Sequence, residues 1–280
     1  MRLRITERRH AMIACVFFAI CGLLLGSFLN VCIVRLPAGE SVVRPRSHCR
    51  QCQQPIANRD NIPVLSWLLL GAKCRACGES IPWRYPAVEL ATCIFFTMCC
   101  LHFSPGWQAG CWALLCFLLL GLAVMDAETL LLPDWFTLPG LLAGVAFSAL
   151  GPGLERGDWA RQTGLMAAGR SLLAAAVAAA TLLLIAGAYW LVRRRAGMGM
   201  GDVKLLAMLA AWLGWRQAAL VLFLAIIAGA LYGVKLILWH PREGSAGQFA
   251  VPFGTMLSLA GLYSIFLGER TLGWYLEFLH

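Results

Sequence analysis

The chain has 280 residues, 60% of them hydrophobic and only 13% charged, with a formal net charge of +9. So little polar surface excludes a soluble domain and reads as a multi-span membrane protein, and the long unbroken apolar runs exclude a β-barrel, whose strands alternate. In such a protein the excess of Lys and Arg sets orientation, and no separate basic domain exists to bind nucleic acid.

Met1–His10 followed by an apolar run has the look of a signal peptide. The run continues from Ala11 to Val34 with no small-residue cleavage site, so a retained first span is expected. Hydropathy predicts about eight spans, near 11–34, 86–104, 108–125, 135–151, 170–192, 203–214, 217–239 and 251–268. The expected fold is an all-α polytopic membrane protein in three parts: a first span (1–35), a polar domain (36–85) and a seven-span membrane domain (86–280).

The polar segment 36–85 is about 50 residues long, too short to hold together by a hydrophobic core alone, so a staple is expected. Of the twelve cysteines, Cys15, Cys21, Cys32, Cys93, Cys99, Cys100, Cys111 and Cys116 lie in apolar spans as small hydrophobes. The other four read Cys49-Arg-Gln-Cys52 and Cys74-Arg-Ala-Cys77. Two such knuckles about 20 residues apart bring four thiolates to one zinc ion. A disulfide framework competes, but a cytoplasmic loop is kept reduced. With all four positions filled by cysteine the zinc is structural rather than catalytic, and His48 is solvated or supports a ligand from outside.

Basic residues set the orientation. Segment 36–85 carries Arg44, Arg46, Arg50, Arg59, Lys73, Arg75 and Arg84, with Arg35 at its edge, and Arg193-Arg194-Arg195 opens another loop. They outweigh Arg2, Arg4, Arg8 and Arg9 of the N-terminal tail, so segments 36–85, 126–134, 193–202 and 240–250 are expected in the cytoplasm and both termini opposite. Asp126 then ends an inward span and Asp202 begins an outward one. Both lie on the cytoplasmic side at similar depth.

A carboxylate at a membrane edge is costly and usually functional. Asp202 follows Gly199-Met200-Gly201; taken alone it reads first as a helix N-cap. The span behind it, Val203–Gly214, is about 18 Å long against a hydrocarbon layer of about 30 Å, which would shelter its start. Asp126 closes the run Gly110–Met125, where the helix dipole disfavours an anion. The two carboxyls together are expected to share a proton, with Asp126 holding it and Asp202 ionised. Asp134, after Pro133, reads as a cap and Glu128 as a solvated charge. Glu89, inside the second span, is expected to pair with a loop arginine ahead of the other reading, that it helps seat substrate, and Asn30 to make an interhelical hydrogen bond. Arg193–Arg195 read as an interfacial anchor and Ala174–Ala180 as a close-packing face.

Several motifs arrive in one order: Gly26-Ser27-Phe28-Leu29-Asn30-Val31, Arg35-Leu36-Pro37, the two knuckles, Asn61-Ile62-Pro63 with Ser66-Trp67, and Arg84-Tyr85-Pro86 with Glu89. They continue through Asp126, Leu132-Pro133-Asp134 and Gly199-x-Gly201-Asp202-Val203-Lys204-Leu205. Over nearly the whole chain they resemble the bacterial type IV prepilin peptidases. The resemblance implies a bifunctional inner-membrane enzyme. It would remove the basic leader of prepilins or type II secretion pseudopilins after a glycine, then methylate the new N-terminus from S-adenosylmethionine. It also implies Asp126 and Asp202 as catalytic residues and Cys49, Cys52, Cys74 and Cys77 as zinc ligands. In one place the chain departs from the family pattern: Ala72 stands where a glycine precedes the third zinc cysteine. No glycine-rich dinucleotide fingerprint marks a methyl-donor site. Two alternatives remain at this stage, a peptidase without methyl transfer and a non-enzymatic zinc-containing scaffold or transporter component. The second half carries no counterpart of the cysteine loop, so the paired halves of a transporter are absent.

Overall fold

Without water to satisfy backbone groups, an apolar chain in a bilayer closes its hydrogen bonds within helices. A computed structural model describes residues 2–103, 105–150, 164–194, 198–239 and 251–278. The 240–250 loop, Arg195, the ends of the predicted spans 86–104 and 135–151, and the side chains of Arg2, Arg4 and Arg8 lie outside them. The helices are α1 (Arg2–Arg35), the short α2 (Leu65–Leu69), α3 (Arg84–His102), α4 (Trp107–Thr129), α5 (Asp134–Leu150), α6 (Leu165–Arg193), α7 (Met200–Trp239) and α8 (Phe253–Phe278). Five of them contain stretches long and apolar enough to cross a membrane, and α5 is a shorter apolar helix. The protein is a helical, multi-pass membrane protein. It divides inside α4 into two compact units, Met1–Gly121 and Leu122–His280.

In the first unit α1 and α3 pack backbone to backbone. Gly22 and Gly26, one turn apart, face α3 so closely that a Cβ on either would lie 2.7 Å from the Cα of Cys93 or Glu89. Small residues at this spacing drive helix association where lipid offers no hydrophobic gain. Asn30 Nδ2 donates to the Tyr85 carbonyl at 3.0 Å, the interhelical bond expected of it. Glu89 differs from expectation. Its Oε2 accepts the Val64 amide at 2.7 Å, so its partner is a backbone N–H of the polar loop rather than an arginine. The chain turns tightly there: Val64 has φ 61 and ψ −50, and Leu65 N donates to Pro63 O at 2.6 Å. This γ-turn is rare, and a β-branched residue at its centre is strained. A buried carboxylate that takes up its amide offsets part of that strain. Arg35, buried at the end of α1, donates to the Ser41 carbonyl at 3.0 Å and fixes the entry to the same loop.

In the second unit the sequence suggests separate spans at 203–214 and 217–239, and the structure joins them in α7 with a break at Gly214 (φ 78, ψ 168). A straight helix of this length would run about 60 Å, twice the hydrocarbon layer, and the break interrupts it. Only glycine tolerates that backbone region. The Ala211 carbonyl, whose helical partner would be the Trp215 amide beyond the break, accepts Ser171 Oγ at 2.8 Å and Ser148 Oγ at 3.4 Å. Hydroxyls of neighbouring helices thus satisfy what the break exposes. Trp212 locks α7 to α5: its indole lies against Gly144, stacks on Phe147 at 5.2 Å and donates to the Gly140 carbonyl at 2.8 Å. With Trp212 fixed, the start of α7 is held in place three turns away.

Candidate active site and metal centre

Within the second unit three helix ends meet. Asp126 lies in the last turn of α4, which closes as Leu130 N donates to the Asp126 carbonyl at 2.9 Å and Leu130 turns to φ 56. Asp202 lies in the first turn of α7. Both side chains are buried, Asp126 at 4% exposure and Asp202 at 9%, and one side chain, Leu132, packs both against Gly201, next to Asp202, and beside the Asp126 carboxylate. The two carboxylates that the sequence places at one depth are therefore brought together.

Each is held by backbone donors. Asp202 is not the N-cap residue of α7; that position is Gly199, because the helix begins at Met200. The Gly199 amide meets the Asp202 carboxylate, while Asp202 N donates to Gly199 O at 3.3 Å. An acid in the third helical position lies beside the unpaired amides of the helix start, and a glycine at the N-cap has no side chain to complete a capping box. Asp126 is held by the start of α8. Thr255 N donates to Asp126 Oδ2 at 2.6 Å, Thr255 Oγ1 lies 3.1 Å from the same oxygen, and the Gly254 amide also faces the carboxylate. The first amides of a helix have no partner within it and point outward, so a carboxylate is a natural ligand for them. The end of α4 alone therefore does not decide which carboxyl holds a shared proton, because α8 supplies the opposing dipole.

Leu132 wedges the three ends apart at a fixed spacing. A Cβ on Gly201 would lie 2.9 Å from the Leu132 Cβ, and one on Gly254 would lie 2.7 Å from its Cδ1 and 2.9 Å from Asp126 Cγ. Both glycines are required by these close approaches. Beside the pair, Lys204 Nζ donates to Asp134 Oδ1 at 2.6 Å and ties α7 to α5, so Asp134 acts across helices. Nothing in the sequence marks Gly254 and Thr255 as partners of Asp126. The available signal was Pro252-Phe253-Gly254-Thr255 at the head of an apolar run, which marks a helix start but not the carboxylate it meets.

In the first unit Cys49, Cys52, Cys74 and Cys77 bring their sulfurs within 4.8 Å of one another, with Cys49 and Cys77 Sγ 3.8 Å apart. Zinc–sulfur bonds near 2.3 Å give a tetrahedron with edges of about 3.8 Å, so the four sulfurs fit a zinc ion. The knuckles match in backbone: Gln53 N donates to Cys49 O at 2.9 Å and Gly78 N to Cys74 O at 2.9 Å. The residue after the second cysteine is left-handed in both, Gln53 at φ 59 and Gly78 at φ 74. Amides of Cys77 and Ala76 draw the Cys74 thiol down to about 7. Cys77 also accepts the Glu79 amide, yet lost hydration and three neighbouring sulfurs push it up to about 12. A dication relieves that crowding of like charge. Ala72 keeps a left-handed backbone (φ 59), accepting the Ile81 amide at 2.7 Å, so the conformation a glycine would favour is retained without one. His48 Nδ1 lies 3.0 Å from the Arg46 carbonyl, and Arg75 pairs with Asp60 through two bonds of 2.8 and 2.7 Å.

Residues 20–103 match the bacterial peptidase A24 N-terminal domain, and residues 113–234 match the type IV leader peptidase family. The chain belongs to the type IV leader peptidase family. It is 36% identical to the prepilin leader peptidase/N-methyltransferase of Aeromonas salmonicida, over 91% of this chain and 91% of that one. Its identity to the protein of the same name from Pseudomonas aeruginosa is 35%, over 92% and 91%. With that of Myxococcus xanthus it is 40%, over 82% of this chain and 65% of the relative. No solved structure matches. The family makes the protein an enzyme, a membrane peptidase, and excludes the scaffold alternative.

Proposed function

We propose that this protein cleaves the basic leader from type IV prepilins or type II secretion pseudopilins at the cytoplasmic face of a bacterial inner membrane, with Asp126 and Asp202 as its catalytic dyad. The observation that carries the reading is the meeting of two buried carboxylates at the ends of α4 and α7, in a chain of this family. A water between them loses a proton to one carboxylate as it attacks the scissile carbonyl. The other carboxyl protonates that oxygen, and the departing amine takes up a proton as the intermediate collapses. A substrate with a basic leader and an apolar helix presents its cut at the membrane surface. Basic residues around segment 36–85 and helix ends gathered in one place support a cytoplasmic site.

The new N-terminal amine then attacks the methyl group of S-adenosylmethionine, and S-adenosylhomocysteine leaves; the names of the relatives support this second step. Cys49, Cys52, Cys74 and Cys77 hold a structural zinc with no open position, so the metal braces the loop and takes no part in cleavage. The test is purified full-length enzyme with a synthetic prepilin and isotopically labelled S-adenosylmethionine, followed by mass analysis. A shortened, methylated product is expected, and Asp126→Asn or Asp202→Asn should lower cleavage by about a thousand-fold or more. Cleavage near wild type in either variant would sink the dyad; a shortened product without label would leave a peptidase alone.

A further inference from the structure

Thr255 makes two different approaches to one oxygen of Asp126, and they are not chemically equivalent. Its amide, 2.6 Å from Oδ2, is a fixed donor. Its hydroxyl is a rotor with a single proton, lying 3.1 Å from Asp126 Oδ2 and 3.0 Å from the Ala123 carbonyl, a pure acceptor. When Oδ2 is negative the hydroxyl proton turns toward it. When that charge is neutralised the proton turns to Ala123 O, and the bond to α4 is kept. The swing needs no movement of heavy atoms. Because the amide always donates, Oδ2 is the accepting oxygen of Asp126 and Oδ1 is left to exchange protons. Gly254 makes this seat possible, since a Cβ there would lie 3.1 Å from Oδ2.

We infer that Thr255 is a positioning residue for the peptidase reaction: it assigns the two oxygens of Asp126 their roles and follows the charge of the carboxylate with its hydroxyl. The inference rests on the reading of Asp126 and Asp202 as the dyad. A group that acts this way affects the chemical step and leaves substrate binding alone, so kcat and KM should separate.

The experiment compares wild type, Thr255→Ser and Thr255→Val as full-length enzyme in detergent, with Asp126→Asn as control. The probe is a synthetic peptide with a basic leader, a glycine at the cut and an apolar helix beyond it. Valine keeps the size and loses the hydroxyl; serine keeps the hydroxyl and loses a methyl. For Thr255→Val, kcat should fall about ten-fold or more with KM within about two-fold of wild type, while Thr255→Ser stays near wild type. A packing role predicts the reverse order, so Val equal to or better than Ser overturns the inference. If Thr255→Val does not fold, as judged by thermal unfolding, Thr255→Ala against Thr255→Ser makes the same comparison. A wild type that leaves the peptide intact, or an active Asp126→Asn, overturns the dyad reading and this inference with it. An inactive Asp126→Asn beside a Thr255→Val as fast as wild type overturns the inference alone.

Discussion

The cysteine loop and the carboxylate site solve one problem by different routes. Each must hold groups of like charge close together. The loop does so with two near-copies of one short turn, Cys49–Gln53 and Cys74–Gly78, whose four sulfurs fit a single dication. The carboxylate site has no repeat. It gathers Asp126, Asp202 and the Gly254-Thr255 amides from three helix ends, and the neutralising partners are backbone dipoles. A metal centre can be built from local sequence. A site made of helix ends depends on the packing of the whole unit.

Zinc removal should expose the sharpest difference. A structural zinc contributes roughly 10 kcal/mol or more to such a fold, so a strong chelator should open segment 36–85 to proteases while the 122–280 helices stay protected. Metal analysis should return about one zinc per chain, and none in Cys74→Ser. Loss of the 122–280 helices on chelation would break the comparison.

The next effect falls on the carboxylate site. In Gly254→Ala the new methyl meets both Leu132 and Asp126, so either the wedge or the carboxylate moves. A shift near 1 Å in a reacting group lowers rate by about a hundred-fold, and peptide cleavage should fall by that order with zinc content unchanged. Wild-type cleavage would mean that the seat yields more easily than its geometry indicates.

Smaller gains are expected in the loop. Gln53 and Ala72 hold left-handed backbone where glycine would be relaxed, and a Cβ is disfavoured there by about 1 kcal/mol. Gln53→Gly and Ala72→Gly should each raise the chelator or urea midpoint for opening segment 36–85, by somewhat less than that because glycine loosens the unfolded chain. A fall in either midpoint would show that the side chain makes a contact worth more than the strain.

The smallest effect is a pH dependence. Hydrogen bonds from Arg75 hold the Asp60 carboxyl below the usual range. A carboxylate lowered on folding stabilises the folded loop above its unfolded pKa, and that contribution is lost as pH falls through the folded value. Arg75→Gln should therefore differ from wild type in urea midpoint at neutral pH, and the two should converge as the solution becomes acidic. Acid also releases zinc, but it does so in both proteins, so the difference isolates the pair.

Much of this was legible in the residues. The apolar runs gave helices because a bilayer leaves the backbone no other partner, and the cysteine spacing gave the metal cluster because its ligands lie within 29 consecutive residues. Asp126 and Asp202 stood out as charges at the edges of apolar runs. For Glu89 the sequence points to an arginine, since charge pairing is the default near an interface. Its actual partner, the Val64 amide, depends on a turn that no sequence signal marks. The Gly214 break was visible only as a boundary between spans, without its hydroxyl partners on α5 and α6.

The sequence by itself determined that the long apolar runs are helical, which four sulfurs cluster, and that two carboxylates stand at the ends of apolar runs. These follow from periodicity, spacing and the expense of charge in lipid, all properties of short stretches. Only the tertiary structure decided what holds the carboxylates. The donors to Asp126 come from Thr255, 129 residues further along, and reach it because Gly201 and Gly254 close on Leu132. The amides at a helix start point at whatever packing places there, and packing is a property of the whole unit.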